Sequence, residues 1–199
     1  MRILHVGASG TIGTATGAAL RARGHEVLSA SRSSSELRVD ITDSNSVAGL
    51  IKQVGALDAV VSTAGHTPFG PWDELDRTKI LAGLHDKFLG QVELVRQASS
   101  VVRQGGSFTL TSGILGREPV RNGSVAAAIN GALEAWVRAS AGELWGRFRI
   151  NIVSPTVLDA SREAYAEAMP GYPAVASSEV GLTYVRSVES METGRIYAV

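Results

Sequence analysis

The sequence predicts an α/β chain in which a doubly wound, mostly parallel sheet carries helices on both faces, all within a single domain. Three observations lead there. Short apolar runs alternate with longer amphipathic segments almost to the end, as strand–helix crossovers between parallel strands require. A glycine-rich segment, Gly7-Ala8-Ser9-Gly10-Thr11-Ile12-Gly13, sits at the first junction between such a run and such a segment. The 199 residues, 44% of them hydrophobic, suit one ordinary core, and no repeat or low-complexity linker divides residues 1–199.

The elements follow in order. Residues 3–6 form a first strand rather than a signal peptide, because the glycine segment follows at once. A helix over 12–23 ends at Gly24, and residues 26–30 form the second strand. The link 31–36 is too short for a helix before the strand at 37–39, since a parallel crossover usually takes about a dozen residues or more. The helix expected there is lost or reduced to a turn. A helix over 46–54 stops at Gly55, a strand spans 59–62, and one long helix covers 75–102 with Gly105 at its end. Strands at 107–111, 149–153 and 195–199 and a helix over 124–145 complete the pattern.

Bulk composition narrows the function. Lys+Arg and Asp+Glu both total 19, with no block of like charge, so nothing draws the chain to nucleic acid or an anionic membrane. It has no cysteine, hence no disulfide, thiolate metal site or cysteine nucleophile. No apolar run approaches the roughly 20 residues of a spanning helix, and a cytoplasmic location is expected. His5 reads as buried in the first strand and His25 as a turn residue; no His/Asp/Glu spacing points to a metal.

The glycine segment has the form of a dinucleotide loop. Gly7, Gly10 and Gly13 would let the backbone turn tightly and approach a pyrophosphate, while the helix N-terminus offers free N–H groups. Ser9 and Thr11 add hydroxyl donors. The bland alternative is a structural turn. At the end of the second strand, Ala30-Ser31-Arg32-Ser33-Ser34 contains no carboxylate before Glu36, and Arg32 between hydroxyls matches a 2′-phosphate. NADP is therefore preferred over NAD, against the alternative of a solvated arginine.

With these motifs in order, the chain resembles the short-chain dehydrogenase/reductase family, a Rossmann-type group, over nearly its whole length. Gly7–Gly13 resembles the GxxGxxG form of the family loop. Val39-Asp40-Ile41-Thr42-Asp43 is similar to the segment beside the adenine, and Ser62-Thr63-Ala64-Gly65 to the Asn-Asn-Ala-Gly turn below the cofactor. Ser154-Pro155-Thr156 resembles the Pro-Gly turn beside the nicotinamide, and Thr193-Gly194-Arg195-Ile196 the approach to the last strand. The resemblance implies a cofactor site of Gly7, Ser9, Gly10, Thr11, Ile12, Gly13, Ser31, Arg32, Ser33, Asp40, Ile41, Ala64, Gly65 and Pro155. It also implies a substrate-covering segment over residues 155–190 and a homodimer through the fourth and fifth helices, where Trp136, Trp145 and the small-residue run 125–128 suit an interface.

The reactive positions depart from the family. Its serine, tyrosine and lysine fall at Gly113, Ala126 and Asn130, and its helix asparagine at Lys87. All four tyrosines (Tyr165, Tyr172, Tyr184 and Tyr197) follow the lysines Lys52, Lys79 and Lys87, so no register restores a Tyr-x-x-x-Lys pair. Substitute catalytic candidates are Ser112, one place from the serine position, Lys87 as proton donor or anion site, and His66 after the Ala64-Gly65 turn. Tyr165 and Tyr172 lie in the covering segment, with aromatic packing as their ordinary role. Two functions remain open: an NADP-dependent oxidoreductase acting on a small carbonyl or alcohol by a noncanonical proton relay, and an inactive NADPH-binding sensor or regulatory module.

Overall fold

A computed structural model of the chain describes residues 1–33 and 36–199. Seven parallel strands form one sheet: β1 (Arg2–Val6), β2 (Glu26–Ser31), β3 (Leu37–Arg38), β4 (Leu57–Ser62), β5 (Val102–Thr111), β6 (Arg149–Ser154) and β7 (Ile196–Ala198). Their order is β3-β2-β1-β4-β5-β6-β7. The chain moves outward from β1 to β3, then returns to β4 on the other side of β1. That reversal opens a crevice beyond the carboxyl ends of β1 and β4, where ligands of open α/β sheets bind.

The helices are α1 (Thr11–Ala22), α2 (Ser44–Val54), α3 (Arg77–Gly83), α4 (Gly90–Ala98), α5 (Ser124–Glu143), α6 (Arg162–Tyr165) and α7 (Ser177–Glu189). Because side chains alternate along a strand, Leu4 and Val6 face one side of the sheet and Ile3 the other. The first side packs Leu4, Val60, Phe108 and Ile150 against Leu50 of α2, Leu94 of α4 and Leu133 of α5. The second packs Ile3, Val61 and Val153 against Leu20 of α1 and Val180, Tyr184 and Val188 of α7. Both faces are covered, as the strand–helix alternation predicts.

Most bounds shift by a residue or two, β5 begins five residues earlier than expected and the short α6 is new, and three further differences bear on the site or its frame. The helix expected over 75–102 starts at Arg77, where the Asp76 carboxylate accepts the Lys79 N–H, and gives way to β5 from Val102. Its middle, Leu84–Leu89, is a π-helical turn joining α3 to α4, a distortion that often marks functional sites. Gly105 does not cap that helix. It lies inside β5 with φ +79°, where the β4–β5 register shifts. Helix α7 was not expected: its apolar positions have helical spacing, but Ala176 precedes it with no side-chain cap, so the start signal is missing.

Helix α7 is tied down twice. A Cβ on Gly181 would lie 2.9 Å from the Ala15 carbonyl oxygen, so only glycine permits this approach to α1. Arg149 donates to the carbonyls of Ser187 (3.2 Å), Val188 (3.0 Å) and Ser190, satisfying the helix C-terminus. Between β2 and β3 only residues 32–36 remain, too few for a helical crossover; Ser34 and Ser35 lie outside the described residues. Among the described residues, no helix is long and apolar enough to cross a membrane, and no cluster of three His, Cys, Asp or Glu side chains could hold a metal.

Candidate functional site

A cleft of about 280 Å³ opens at the crevice and is lined by Gly7, Ser9, Gly10, Ser31, Arg32, Ser33, Asp40, Ile41, Ala64 and Gly65, with Val6, Val39, Thr63, His66 and Asp86 beside them. The three loop glycines are needed for different reasons. Gly7 has φ +87°, and a Cβ there would lie 2.6 Å from the Ala64 nitrogen. A Cβ on Gly13 would lie 2.1 Å from the Gly7 carbonyl oxygen, so the first turn of α1 rests on the loop. Gly10 has room, its nearest neighbour being 3.6 Å away, so its bareness serves whatever approaches from the cleft. Gly10 caps α1 without a side-chain bond, and no acidic residue occupies the first turn. The free N–H groups and the helix dipole there favour an anion. Thr11, Ile12 and Gly13 are not among the lining residues; as the first turn of α1 they carry those free N–H groups.

A buried relay supports this loop. The Thr63 hydroxyl donates to the Gly7 carbonyl at 3.0 Å, and His5 Nε2 lies 3.0 Å from the same hydroxyl oxygen. With the threonine proton used, Nε2 must donate, so the ring is the neutral Nε2–H tautomer. Its Nδ1 is buried without a partner among the described residues. Burial, with Arg21 adding to it, pushes the His5 pKa down to about 4. Farther along the cleft, the Thr42 hydroxyl (2.7 Å) and N–H (2.9 Å) bind Asp40 and hold its carboxyl below the usual range. The helix cap beyond is Asp43, whose carboxylate accepts the Asn45 N–H.

A second cavity of about 300 Å³ adjoins the first at Gly65 and His66. Apolar side chains form much of its wall, including Phe69, Ile114, Leu115, Val157, Leu158 and Met169. Among its polar residues are Thr67, Lys87, Ser112, Asn130, Thr156, Ser161 and Tyr165, with His66 at the shared mouth. The π-helical turn brings Lys87 against Gly65: a Cβ at Gly65, where φ is +109°, would lie 2.9 Å from Lys87 Cα. The Lys87 amine donates to the Ser112 carbonyl at 3.1 Å. Desolvation lowers its pKa to about 8, against an opposing pull from Asp86.

The other reactive candidates are placed differently. The Ser112 backbone lines the cavity, but its hydroxyl donates inward to Glu134 at 2.8 Å. Asn130 lines the cavity with its Oδ1 unpartnered among the described residues, and a Cβ on Gly113 would lie 3.3 Å from Asn130 Nδ2. Ala126 is buried and outside the lining. Pro155 borders this cavity rather than the first. Tyr165 meets Phe69 edge to face at 6.1 Å, while the Tyr172 hydroxyl lies 3.5 Å from the Pro119 carbonyl, outside the lining. Within the run 125–128, Val125 and Ala126 turn inward; Trp136 packs on the core, whereas Trp145 is 77% exposed. The bonds that give Thr63, Glu134 and Arg117 their roles escape sequence reading because their partners are remote along the chain.

No curated protein matches the chain. Among solved structures, the protein lin1944 of Listeria innocua is 38% identical over 100% of this chain and 99% of its own, with a TM-score of 0.96. A small-chain dehydrogenase is 30% identical over 100% of this chain and 95% of its own (TM-score 0.86). A small-chain dehydrogenase solved in complex with NADPH is 29% identical over 100% and 96%, with a TM-score of 0.88. Residues 7–199 match the family model described as enoyl-(acyl carrier protein) reductase. On these likenesses, and on the parallel sheet with its crevice at β1 and β4, the chain belongs to the short-chain dehydrogenase/reductase family.

Proposed function

We propose that the chain is an NADP-dependent oxidoreductase of small carbonyl compounds or alcohols in which Lys87 moves the proton. One observation carries this reading: the Lys87 amine stands in a cavity of mixed polar and apolar lining that opens into the nucleotide cleft at Gly65 and His66. The cleft residues fit the cofactor. The uncapped α1 terminus and the bare Gly10 suit a pyrophosphate, Arg32 with Ser33 a 2′-phosphate, and Asp40 with Ile41 the adenine. The NADPH complex of the 29%-identical relative supports the same choice.

When bound, NADPH supplies a hydride to the carbonyl carbon. As the C=O π pair moves onto oxygen, Lys87 gives that oxygen a proton from Nζ, and the neutral amine recovers one from solvent through the mouth at His66. A pKa of about 8 leaves Nζ mostly protonated at neutral pH yet able to release the proton. Oxidation of an alcohol runs these steps in reverse. The inward hydroxyl of Ser112 and the buried Ala126 favour a second reading, an NADPH-binding module without turnover. Screening aldehydes, ketones and quinones for NADPH oxidation separates the two. Turnover lost in Lys87→Met supports the enzyme, whereas saturable NADPH binding with no turnover across the panel supports the module. A homodimer through the α3–α4 helix, which exposes Leu81 and Leu89, together with α5 is part of the proposal.

A further inference from the structure

One carboxylate behind the second cavity is not used by the reaction above. Glu134 is 2% exposed, and its Oε1 accepts the hydroxyls of Ser112 (2.8 Å) and Ser154 (2.9 Å). Arg117 completes the group: its Nη2 donates to Ser154 Oγ at 2.9 Å, and its Nε lies 3.6 Å from Glu134 Oε2. The donor order is forced. A guanidinium only donates, so Ser154 accepts from Arg117 and gives its own proton to Glu134. Ser112 likewise gives its one hydroxyl proton to Glu134 and has none for a substrate.

One carboxylate oxygen thus joins the ends of β5 and β6. Two backbone bonds run beside it, from the Ser112 N–H to the Val153 carbonyl and from the Ile114 N–H to the Pro155 carbonyl, both 2.9 Å. With the serine side chain turned inward, its carbonyl is left to accept Lys87 Nζ. A carboxylate buried this deeply is costly unless its oxygens are satisfied. Here only one oxygen faces a cation, and the other goes to two serines.

We infer that Glu134 is a positioning residue: by holding the Ser112 side chain inward, it fixes the carbonyl on which the Lys87 amine is oriented. The inference rests on the role proposed for Lys87. The other titratable groups around that amine are Asp86 beside it on the helix, and His66 and Tyr165 in the lining of the same cavity. Arg117 stands behind Ser112 and Ser154, and the test changes none of these four.

The chain has three lysines, so lysine labelled with ¹³C and ¹⁵N gives three side-chain signals, and Lys87→Met identifies one. Glu134→Ala is expected to move the Lys87 titration midpoint to lower pH by roughly half a unit or more, because an oriented acceptor favours the ammonium form. Lys52 and Lys79 should not move. Glu134→Gln keeps an acceptor oxygen and should restore the midpoint. Ser112→Ala cuts the same link from its other end, so it should shift the midpoint the same way and add little to Glu134→Ala. An unmoved midpoint in folded Glu134→Ala or Ser112→Ala overturns the inference. So does a Glu134→Gln midpoint as low as that of Glu134→Ala, which assigns the effect to charge. If Glu134→Ala does not fold, the other two variants decide. The catalytic reading fails separately, when Lys87→Met retains turnover while the Lys87 signal still answers to Glu134.

Discussion

The two cavities share Gly65 and His66, yet they differ in what they offer a ligand. The nucleotide cleft is walled by short runs at the ends of β1, β2, β3 and β4, with Asp86 added from the π-helical turn. The second cavity also uses runs after β4, β5 and β6, and adds to them the side chains of Lys87 from the π-helical turn, Asn130 from α5, and Ser161, Tyr165 and Met169. In the first, the helix N-terminus is left open and the polar groups face the space. In the second, the Ser112 hydroxyl is taken inward by Glu134 and the Lys87 amine is held by a carbonyl. A helix terminus keeps its chemistry while its loop keeps its course. A pair of side chains such as Ser112 and Lys87 is rewired by a few substitutions.

The largest effect should come where backbone meets backbone. Gly13→Val places side-chain atoms into the Gly7 carbonyl, whose oxygen lies 2.1 Å from a Cβ there. It should destabilise the fold by about 3 kcal/mol or more, read by urea denaturation, with saturable NADPH fluorescence lost. Stability near that of the parent would show the cleft to be more pliant than the comparison holds. Acid should act on the same loop through His5. Its folded pKa of about 4 lies below the ordinary imidazole value of 6.5, so the unfolded chain binds the proton first. Stability is whole above pH 6.5 and falls as pH drops toward 4, by about 3 kcal/mol at most. His5→Gln should flatten that slope in thermal unfolding followed from pH 7 to 4; an unchanged slope places the titration elsewhere.

Lys87→Met tests the second cavity. Turnover should fall at least 100-fold, about 2.7 kcal/mol, while NADPH affinity stays within about threefold. The same variant should be more stable at pH 7 by about 1–2 kcal/mol, since a lysine pKa lowered to about 8 marks an ammonium that the fold holds at a cost below that pH. A gain in stability without a loss of turnover would make Lys87 a structural burden only. Arg32→Ala should weaken NADPH about tenfold, or 1.4 kcal/mol, and leave NADH alone; equal losses for both cofactors would remove Arg32 from the 2′-phosphate. The smallest effect belongs to Gly10→Ala, whose Cβ has ordinary contact at 3.6 Å. Its stability should stay within about 0.5 kcal/mol while NADPH binding weakens, which separates a glycine needed by the fold from one needed by the ligand.

Legibility followed the same division. Ten of the fourteen expected cofactor residues line the cleft, because Gly7, Gly10, Arg32 and Asp40 lie within a few residues of strand ends that apolar patterning marks. Thr11, Ile12 and Gly13 belong to the same loop but fall in the first turn of α1, outside the lining, a distinction made by three-dimensional direction alone. The link between Thr63 and His5 spans 58 residues, and that between Ser112 and Glu134 spans 22, with no local signal for either. Helix α7 lacked a start signal, and the π-helical turn that aims Lys87 leaves no mark in residue type or spacing.

The sequence by itself determined the alternation of strands and helices, the glycine loop at its first junction, the arginine after β2 and the lack of any Tyr-x-x-x-Lys pair. These are local properties, set by periodicity, backbone freedom and residue identity along a short stretch. The family resemblance already put Lys87 at a pocket position; tertiary structure alone decided that Ser112 offers it a carbonyl rather than a hydroxyl, and that a buried Glu134 stands behind both. The reason is physical. A hydroxyl or amine goes to the acceptor that folding brings within hydrogen-bond reach, and those acceptors arrive from strands and helices far apart in the chain.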